Sequence, residues 1–168
     1  LMQQSKLSDA VLALPEERII FHNDSKDVLE VAKRMLAGEL EYRRQNYEIA
    51  FDHLRQAVDC YDNLNYSEPW SWMMPPRHAL GALLLEQGHI DEATKVYRAD
   101  LGLDDTLVRP SQHPANIWSL LGYAECCERL GDEGNLGSIR SELNHAKQIA
   151  DTSIQVSCFC RIQHDCCD

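Results

Sequence analysis

No stretch of this sequence contains the run of about 20 apolar residues that a membrane-spanning helix needs. The first residues, LMQQSKLSDAV, also lack the basic-then-apolar order of a signal peptide. Positive charge is scarce, since 16 Lys and Arg stand against 27 Asp and Glu and the net charge is −11 at pH 7. Nucleic acid and anionic membranes are bound through clustered Lys and Arg, so neither is an expected partner. These absences predict a soluble protein of the cytoplasm.

Motifs for phosphate binding, covalent catalysis and disulfide frameworks are also missing. There is no Gly-rich phosphate loop, no nucleophile elbow and no pair of histidines at i, i+4 on one helix. The seven cysteines include two adjacent pairs, at 126–127 and 166–167, which is not the spacing of a disulfide framework, and reduced thiols are favoured. Carboxylates such as Asp132 cluster at turns, where they favour helix capping. No local motif indicates a catalytic residue, so the sequence favours a protein without enzyme activity.

The sequence does contain a pattern that recurs every 43 residues. Its members are Gly38, Gln45, Ala50 and Leu54, then Gly81, Gly88, Ala93 and Tyr97, then Ala124, Gly131, Leu136 and Arg140. Periods of 20 to 50 residues indicate helical hairpins that stack to bury their apolar faces. The apolar spacing predicts three hairpins, at about 25–64, 75–103 and 115–151. The third departs from the pattern at Leu136 and Arg140, which suits a modified terminal hairpin.

The spacing of Gly81, Gly88 and Ala93 resembles that of tetratricopeptide repeats. Small residues let two helices approach closely, and the glycine lets the chain reverse between them. The resemblance implies an all-α fold, a right-handed α-solenoid over residues 1–151, followed by a tail over 152–168. A standard repeat of this type has about 34 residues, whereas HEAT-like and armadillo-like repeats have about 40–47. The period of 43 suits the second group, but the small-residue positions favour the tetratricopeptide type.

Several short strings carry a closer resemblance. They are Tyr66-x-Glu68-Pro69, Trp72, Arg77-His78, Val96-Tyr97-Arg98-x-Asp100-Leu101, Asn116-x-Trp118-Ser119-Leu120 and Ser157-Cys158-Phe159-Cys160. In this order they resemble the C-terminal region of a family of bacterial and fungal tetratricopeptide-repeat proteins. Members of that family carry further repeats upstream. These upstream repeats, together with Leu1 in place of an initiator Met, predict that the chain is the C-terminal part of a longer protein. The resemblance implies a fold and a binding style, and it implies no reaction.

The segment between the first two hairpins is the main candidate binding site. Its candidate residues are Tyr66, Glu68, Trp70, Trp72, Arg77 and His78, and Asn116 and Trp118 near the third hairpin are further candidates. Such a mixture suits a peptide or a small polar ligand, because Arg grips a carboxylate with two hydrogen bonds and Trp supplies contact area. The structural alternative is that the tryptophans fold back over the hairpins and that His78 satisfies a backbone or carboxylate partner.

From Thr152 to Ile162 the apolar residues alternate with mostly polar ones, which predicts an extended tail lying against the last hairpin. Cys158 and Cys160 then lie on one face of the tail. They are candidate ligands for a soft metal ion, with His164, Cys166 or Cys167 as further ligands. The alternative is that these thiols pack as small apolar residues.

The function predicted from these features is a non-catalytic scaffold that binds a peptide or protein segment on the concave face of the solenoid, beside the Tyr66–His78 loop. Two alternatives stay open. One is a metal-binding protein or a thiol-dependent enzyme that uses Cys158, Cys160 and His78. The other is a self-associating structural protein, a homo-oligomer that stacks through an apolar N-terminal face.

Overall fold

Helices form most of the described chain, and the apolar periodicity explains where they lie. The computed structural model describes residues 6, 9–11, 13–15 and 17–161. Six α-helices lie wholly within that part: α1 (Ser25–Arg43), α2 (Tyr47–Asp62), α3 (Pro76–Glu86), α4 (Ile90–Leu101), α5 (Ile117–Leu130) and α6 (Glu133–Ile149). Two short strands, β1 (Ile19–Ile20) and β2 (Asn23–Asp24), pair antiparallel, with Ile19 opposite Asp24. The predicted all-α class is confirmed.

The described residues fall into two compact units, one ending at Pro76 and one beginning at Arg77. The first unit contains the two strands, helices α1 and α2 and the loop that follows them. The second contains the rest of α3, helices α4 to α6 and the tail. None of the helices in the described part combines the length and the apolar composition needed to cross a membrane.

The hairpins α1–α2, α3–α4 and α5–α6 close with the same turn, repeated every 43 residues. Gln45, Gly88 and Gly131 have positive φ angles of 65°, 82° and 68°. The N–H of the next residue donates to a carbonyl oxygen five residues back, at 2.9 to 3.0 Å: Asn46 to Glu41, His89 to Leu84 and Asp132 to Cys127. This is a Schellman-type cap, which requires a residue in the left-handed backbone region. The 43-residue period of the sequence therefore corresponds to the repetition of this turn in the structure.

Glycines at equivalent positions also make equivalent packing contacts in the first two hairpins. A Cβ atom added to Gly38 would lie 2.6 Å from Leu54 Cγ. A Cβ atom added to Gly81 would lie 2.6 Å from Tyr97 Cζ. A larger residue at either position would force the two helices apart, so the small residues act sterically, as the sequence predicts.

The ring of Tyr97 lies at the centre of the second unit. Its side chain is fully buried, and it packs against Gly81 on α3 and Gly122 on α5. A Cβ atom added to Gly122 would lie only 2.1 Å from Tyr97 Cζ. Leu83 and Leu120, 1% and 0% exposed, belong to the same core. Each buried side chain of this size contributes about 1.5–3 kcal/mol to the stability of the unit.

The tail packs on the second unit and is less extended than predicted. Residues 154–156 alternate between half-buried and exposed, as expected for an extended chain. Phe159–Arg161 instead form a 3₁₀ turn, in which the Arg161 N–H donates to Cys158 O at 3.1 Å. The turn places the Arg161 guanidinium against Glu125 on α5. The last predicted ligands, His164, Cys166 and Cys167, lie outside the described residues.

Candidate functional site

Four of the predicted binding residues lie in the loop of the first unit. Tyr66 is 51% exposed, and its hydroxyl donates to the Glu68 carboxylate. Trp70 and Trp72 are half-buried. The indole N–H of Trp72 donates to Sδ of Met35 on α1 at 3.2 Å. Trp72 therefore folds back over the hairpin, as the structural alternative held, while Tyr66 and Glu68 stay accessible.

Asn23 fixes this loop against the end of the strand pair. Its side chain is 4% exposed. Its Nδ2 donates to Asn65 O at 2.9 Å and to Ser71 Oγ at 2.8 Å, and its Oδ1 accepts from Asn65 N–H at 2.6 Å. A buried amide with three such hydrogen bonds holds one loop conformation, because each bond would be costly to leave unmade inside the protein.

The other two loop candidates, Arg77 and His78, lie in the second unit and are buried. Their exposed fractions are 5% and 6%. His78 Nε2–H donates to Asp100 Oδ2 at 3.2 Å. Little of either side chain is accessible to a ligand. The Asp100 carboxylate is the kind of partner for His78 that the structural alternative predicted.

Asp100 is the centre of a buried polar cluster that the sequence did not predict. His113 Nδ1–H donates to Asp100 Oδ1 at 2.7 Å, and Ser119 Oγ–H donates to Oδ2 at 2.5 Å. The backbone N–H of His113 also donates to Asp100 O at 2.6 Å. Together with His78, these contacts connect α3, α4, α5 and the loop before α5. We call His78, Asp100, His113 and Ser119 the Asp100 cluster.

The electrostatics of the Asp100 cluster are those of a structural contact. Burial alone would raise the pKa of Asp100, but the hydrogen bonds from His113 and His78 outweigh it and hold the pKa well below the ordinary 3.8. The hydroxyl of Ser119 donates to the Asp100 carboxylate rather than to an imidazole, so the cluster lacks the serine–histidine contact of a nucleophilic site. Asp100 and Ser119 are each 0% exposed. The cluster therefore holds three helices together and has no room for a substrate.

Two features of the sequence could have indicated this cluster. Asp100 follows Ala93 and Tyr97 at helical spacing, on the buried face of α4. His78, Asp100 and Ser119 also fall inside the short strings that carry the family resemblance. An acid on an apolar helix face requires a buried partner, and the histidines and the serine supply it.

An open cleft of about 550 Å³ lies on the second unit, between the tail and α5. Glu86 at the end of α3, Trp118 on α5, residues 153–156, Phe159 and Arg161 line it. Its volume is in the range of about 300–1,000 Å³ that ligand sites occupy. Of the residues predicted to bind a partner, Trp118 lies in this cleft. We call it the Trp118 cleft.

Aromatic and ionic contacts anchor the tail beside the Trp118 cleft. The rings of Trp118 and Phe159 meet edge to face, with centroids 4.7 Å apart, and Phe159 stays 64% exposed. Arg161 Nη1 and Nη2 donate to Glu125 Oε2 and Oε1 at 2.6 and 3.3 Å. Asn116 caps α5, where its Oδ1 accepts from Trp118 N–H at 3.0 Å. Asn116 thus orients the turn that carries Trp118.

The two tail cysteines are joined by a disulfide, whereas the sequence favoured reduced thiols. Cys158 and Cys160 are 9% exposed, with Cα atoms 5.2 Å apart. Cys60, Cys126 and Cys127 are free, and burial raises the pKa of Cys126 to about 11. Within residues 17–161 and the shorter described stretches before them, no three His, Cys, Asp or Glu side chains are grouped so as to hold a metal ion.

Comparison with protein-family models, with curated proteins and with solved structures gave no match. The resemblance to tetratricopeptide-repeat proteins therefore rests on the short strings and the 43-residue pattern, and it stays a prediction. The Trp118 cleft is the feature from which a function is inferred below.

Proposed function

We propose that this chain is a non-catalytic interaction scaffold that binds a peptide or protein segment in the Trp118 cleft. One observation carries the proposal: Trp118 and the largely exposed Phe159 form an aromatic wall in an open cleft of about 550 Å³. Tryptophan is prominent among the residues that dominate binding energy at protein interfaces. An aromatic pair that lines an open cleft is therefore well suited to hold the side chain of a partner.

The remaining lining favours a peptide with both apolar and polar groups. Ile154 and Val156 add aliphatic surface, while Glu86 and Arg161 add one charge of each sign. Ligand sites commonly combine a mostly apolar lining with a few polar groups that fix orientation. A short peptide segment offers both kinds of group along one chain.

A right-handed solenoid of the tetratricopeptide type is part of the same proposal. The shared hairpin turns support it, as do the equivalent Gly38–Leu54 and Gly81–Tyr97 contacts. Hairpins that repeat their turns and contacts present the same faces to their neighbours, which favours stacking. The proposed location is the cytoplasm, on the basis of the acidic composition.

The proposal is tested by selecting peptides against the full chain. A phage library that displays random peptides of about twelve residues is panned on the immobilised protein, and enriched peptides are synthesised with a fluorophore. Anisotropy then measures their affinity for the parent and for Trp118→Ala. We expect the substitution to weaken binding by about tenfold or more, because the ring supplies a large share of the contact area.

Trp70→Ala is the matched control, since it removes the same side chain from the loop of the first unit. We expect it to change the affinity by less than about twofold, a difference well below 1 kcal/mol. Circular dichroism checks that both variants keep their helix content. Failure to enrich any peptide, or an equal loss of affinity in both variants, would contradict binding in the Trp118 cleft.

A further inference from the structure

We propose that the Cys158–Cys160 disulfide is a reversible redox site, which exchanges with small thiols and whose state sets the position of Phe159 in the wall of the Trp118 cleft. The exchange itself does not depend on what the cleft binds. Its effect on peptide binding rests on the proposed function and adds a means of regulating it. The co-reactants belong to one chemical class, the low-molecular-weight thiols such as glutathione and their disulfides.

The disulfide is placed so that it constrains the aromatic wall directly. Only Phe159 separates the two cysteines, so the bond closes a small covalent ring that contains the backbone of Phe159. Phe159 lies in the 3₁₀ turn, with its side chain against Trp118 at a centroid distance of 4.7 Å. Closing the covalent ring restricts the φ and ψ angles of Phe159, and opening it returns that freedom to the backbone. The redox state of the two cysteines therefore acts on the residue that completes the wall.

The same bond contributes little to the stability of the fold. A disulfide stabilises a protein mainly by restricting the unfolded chain, and the effect is smallest for the shortest loops. Other contacts hold the tail on either side of the bond: Ser157 is 2% exposed, and Arg161 is paired with Glu125 on α5. The tail therefore stays on the second unit when the bond opens, and both redox states are folded. In the cytoplasm, the proposed location, disulfides that do form are usually transient and serve catalysis or redox sensing.

Reaction is directed to this pair because the other free thiols of the described chain are poor nucleophiles. Thiol–disulfide exchange proceeds through the thiolate. Burial raises the pKa of Cys60, Cys126 and Cys127 above the ordinary value of a thiol, so few of them are ionised at neutral pH. In the tail, the Cys160 N–H donates to Cys158 Sγ at 3.2 Å. A sulfur that accepts such a bond is the better leaving thiolate, because the N–H stabilises its negative charge.

This contact assigns an order to the exchange. A glutathione thiolate attacks Sγ of Cys160, forms a mixed disulfide there and expels Cys158 as the thiolate that the N–H stabilises. A second glutathione thiolate attacks the glutathione sulfur of the mixed disulfide, which releases Cys160 and oxidised glutathione. Two electrons pass from the two glutathione thiols to the protein disulfide, and the two protons of those thiols end on Cys158 and Cys160. Oxidation follows the reverse sequence, with oxidised glutathione as the oxidant.

Mass spectrometry of the full chain tests the exchange. The protein is equilibrated in buffers that vary the ratio of reduced to oxidised glutathione, quenched with acid, alkylated in urea with N-ethylmaleimide and digested with trypsin. Trypsin releases residues 148–161, in which Cys158 and Cys160 are the only cysteines. We expect this peptide to pass from an unlabelled disulfide to a doubly alkylated dithiol as the ratio rises, and the mixed disulfide trapped by an early quench to lie on Cys160. A peptide that keeps one form at every ratio, or that is joined to residues 162–168, would overturn the assignment.

Fluorine NMR tests whether the exchange moves the wall. The chain contains three tryptophans, Trp70, Trp72 and Trp118, and 5-fluorotryptophan labels all of them. We expect reduction to shift the Trp118 resonance, because the side chain of Phe159 then leaves its fixed contact, whereas the other two resonances stay in place. Circular dichroism should show the same helix content in both states. A Trp118 resonance at one position in the oxidised and the reduced protein would overturn control of the wall.

The consequence for binding is measured with peptides selected on the oxidised chain. We expect reduction to weaken their binding by about fivefold or more, because the wall loses its fixed second ring. The double variant Cys158→Ser, Cys160→Ser should bind as the reduced parent does in both buffers. The control Cys60→Ser, which removes a free thiol of the first unit, should respond like the parent. A redox response that persists in the double variant would overturn the assignment to this pair.

The outcomes separate this inference from the proposed function. If no peptide is selected, the scaffold function fails, while mass spectrometry and fluorine NMR still decide the redox site. If selected peptides bind in a Trp118-dependent manner but with equal affinity to the oxidised and reduced chain, the scaffold function stands and redox control of the cleft fails.

Discussion

At the scale of single residues, Asp100 is a buried charge that three other side chains of the second unit satisfy. It is fully buried and accepts hydrogen bonds from His78, His113 and Ser119. A buried carboxylate is costly to desolvate, and that cost is offset only while its donors stay in place. Removal of the charge leaves three buried donors facing a group that satisfies them poorly.

We predict that Asp100→Asn lowers the free energy of unfolding by about 3 kcal/mol, because the amide offers one acceptor oxygen where the carboxylate offers two. Urea unfolding followed by circular dichroism measures the change. Asp105→Asn is the matched control, since Asp105 is exposed, and its effect should stay within about 0.5 kcal/mol. A loss below about 1 kcal/mol for Asp100→Asn would show that the cluster contributes little.

Two glycines in helices of the second unit should respond to alanine in opposite directions. Gly122→Ala places a Cβ atom 2.1 Å from the buried ring of Tyr97, and we expect a loss of about 1–3 kcal/mol from overpacking. A Cβ atom at Gly137 on α6 has no heavy atom within 4 Å, so Gly137→Ala should gain about 0.5–1 kcal/mol of helix stability. Thermal unfolding of the two variants makes the comparison, and the same sign in both would contradict the predicted packing.

At the scale of the hairpin, the same turn is built with different residues. Gly88 and Gly131 meet the requirement for a positive φ, whereas Gln45 adopts φ 65° despite its side chain. An L-residue in the left-handed region is less stable than glycine by about 1–2 kcal/mol. The first hairpin therefore keeps a strained residue that the other two avoid.

We predict that Gln45→Gly raises the free energy of unfolding by about 0.5–1 kcal/mol, since the side chain is exposed and its loss removes only the strain. Gly88→Ala is the reciprocal change and should lower it by about 1 kcal/mol, because a Cβ atom there meets no neighbour and only the φ of 82° opposes it. Chemical denaturation of both variants tests the pair. Destabilisation by Gln45→Gly would mean that the side chain has an unrecognised role.

The hairpins also show what the sequence could and could not predict. The 43-residue pattern predicted the turns at Gln45, Gly88 and Gly131, because left-handed turns select few residue types. The Asp100 cluster was not predicted, because the loop that carries His113 has no periodic pattern to place it. Trp118 was named as a binding residue from its surrounding string. The cleft around Trp118 depends on where the irregular tail packs. Neither the strand period of two residues nor the helix period of 3.6 residues determines that position.

At the scale of the whole molecule, several carboxylates make the stability depend on pH. Hydrogen bonds hold the pKa of Asp100 and of Asp132 below the ordinary 3.8, and Lys33 and Arg34 overcome partial burial to lower the pKa of Glu30. A carboxyl group whose pKa is lower in the folded state stabilises the fold above its unfolded pKa. That contribution is lost as the pH falls through the folded pKa.

We therefore predict that the urea midpoint is highest above about pH 5 and declines as the pH falls below about 4, where the unfolded chain binds more protons than the folded one. The destabilisation caused by Asp100→Asn should be largest near neutral pH and should shrink in acid, because the unfolded parent chain then gains a proton at Asp100 that the Asn variant cannot gain. Urea titrations at several pH values between 3 and 7 measure this. A destabilisation that grows in acid would contradict a lowered pKa for Asp100.

The ring of Tyr97 between Gly81 and Gly122 has a consequence for how such chains can diverge. Three helices share one volume at this point, since the ring fills the space that a Cβ atom on either glycine would need. The three positions are therefore constrained as a set. In natural variants of this chain, we expect a smaller residue at 97 to appear together with alanine or serine at 81 and 122, and the large ring to appear only with glycine at both. This covariation would link helices that are far apart in the sequence.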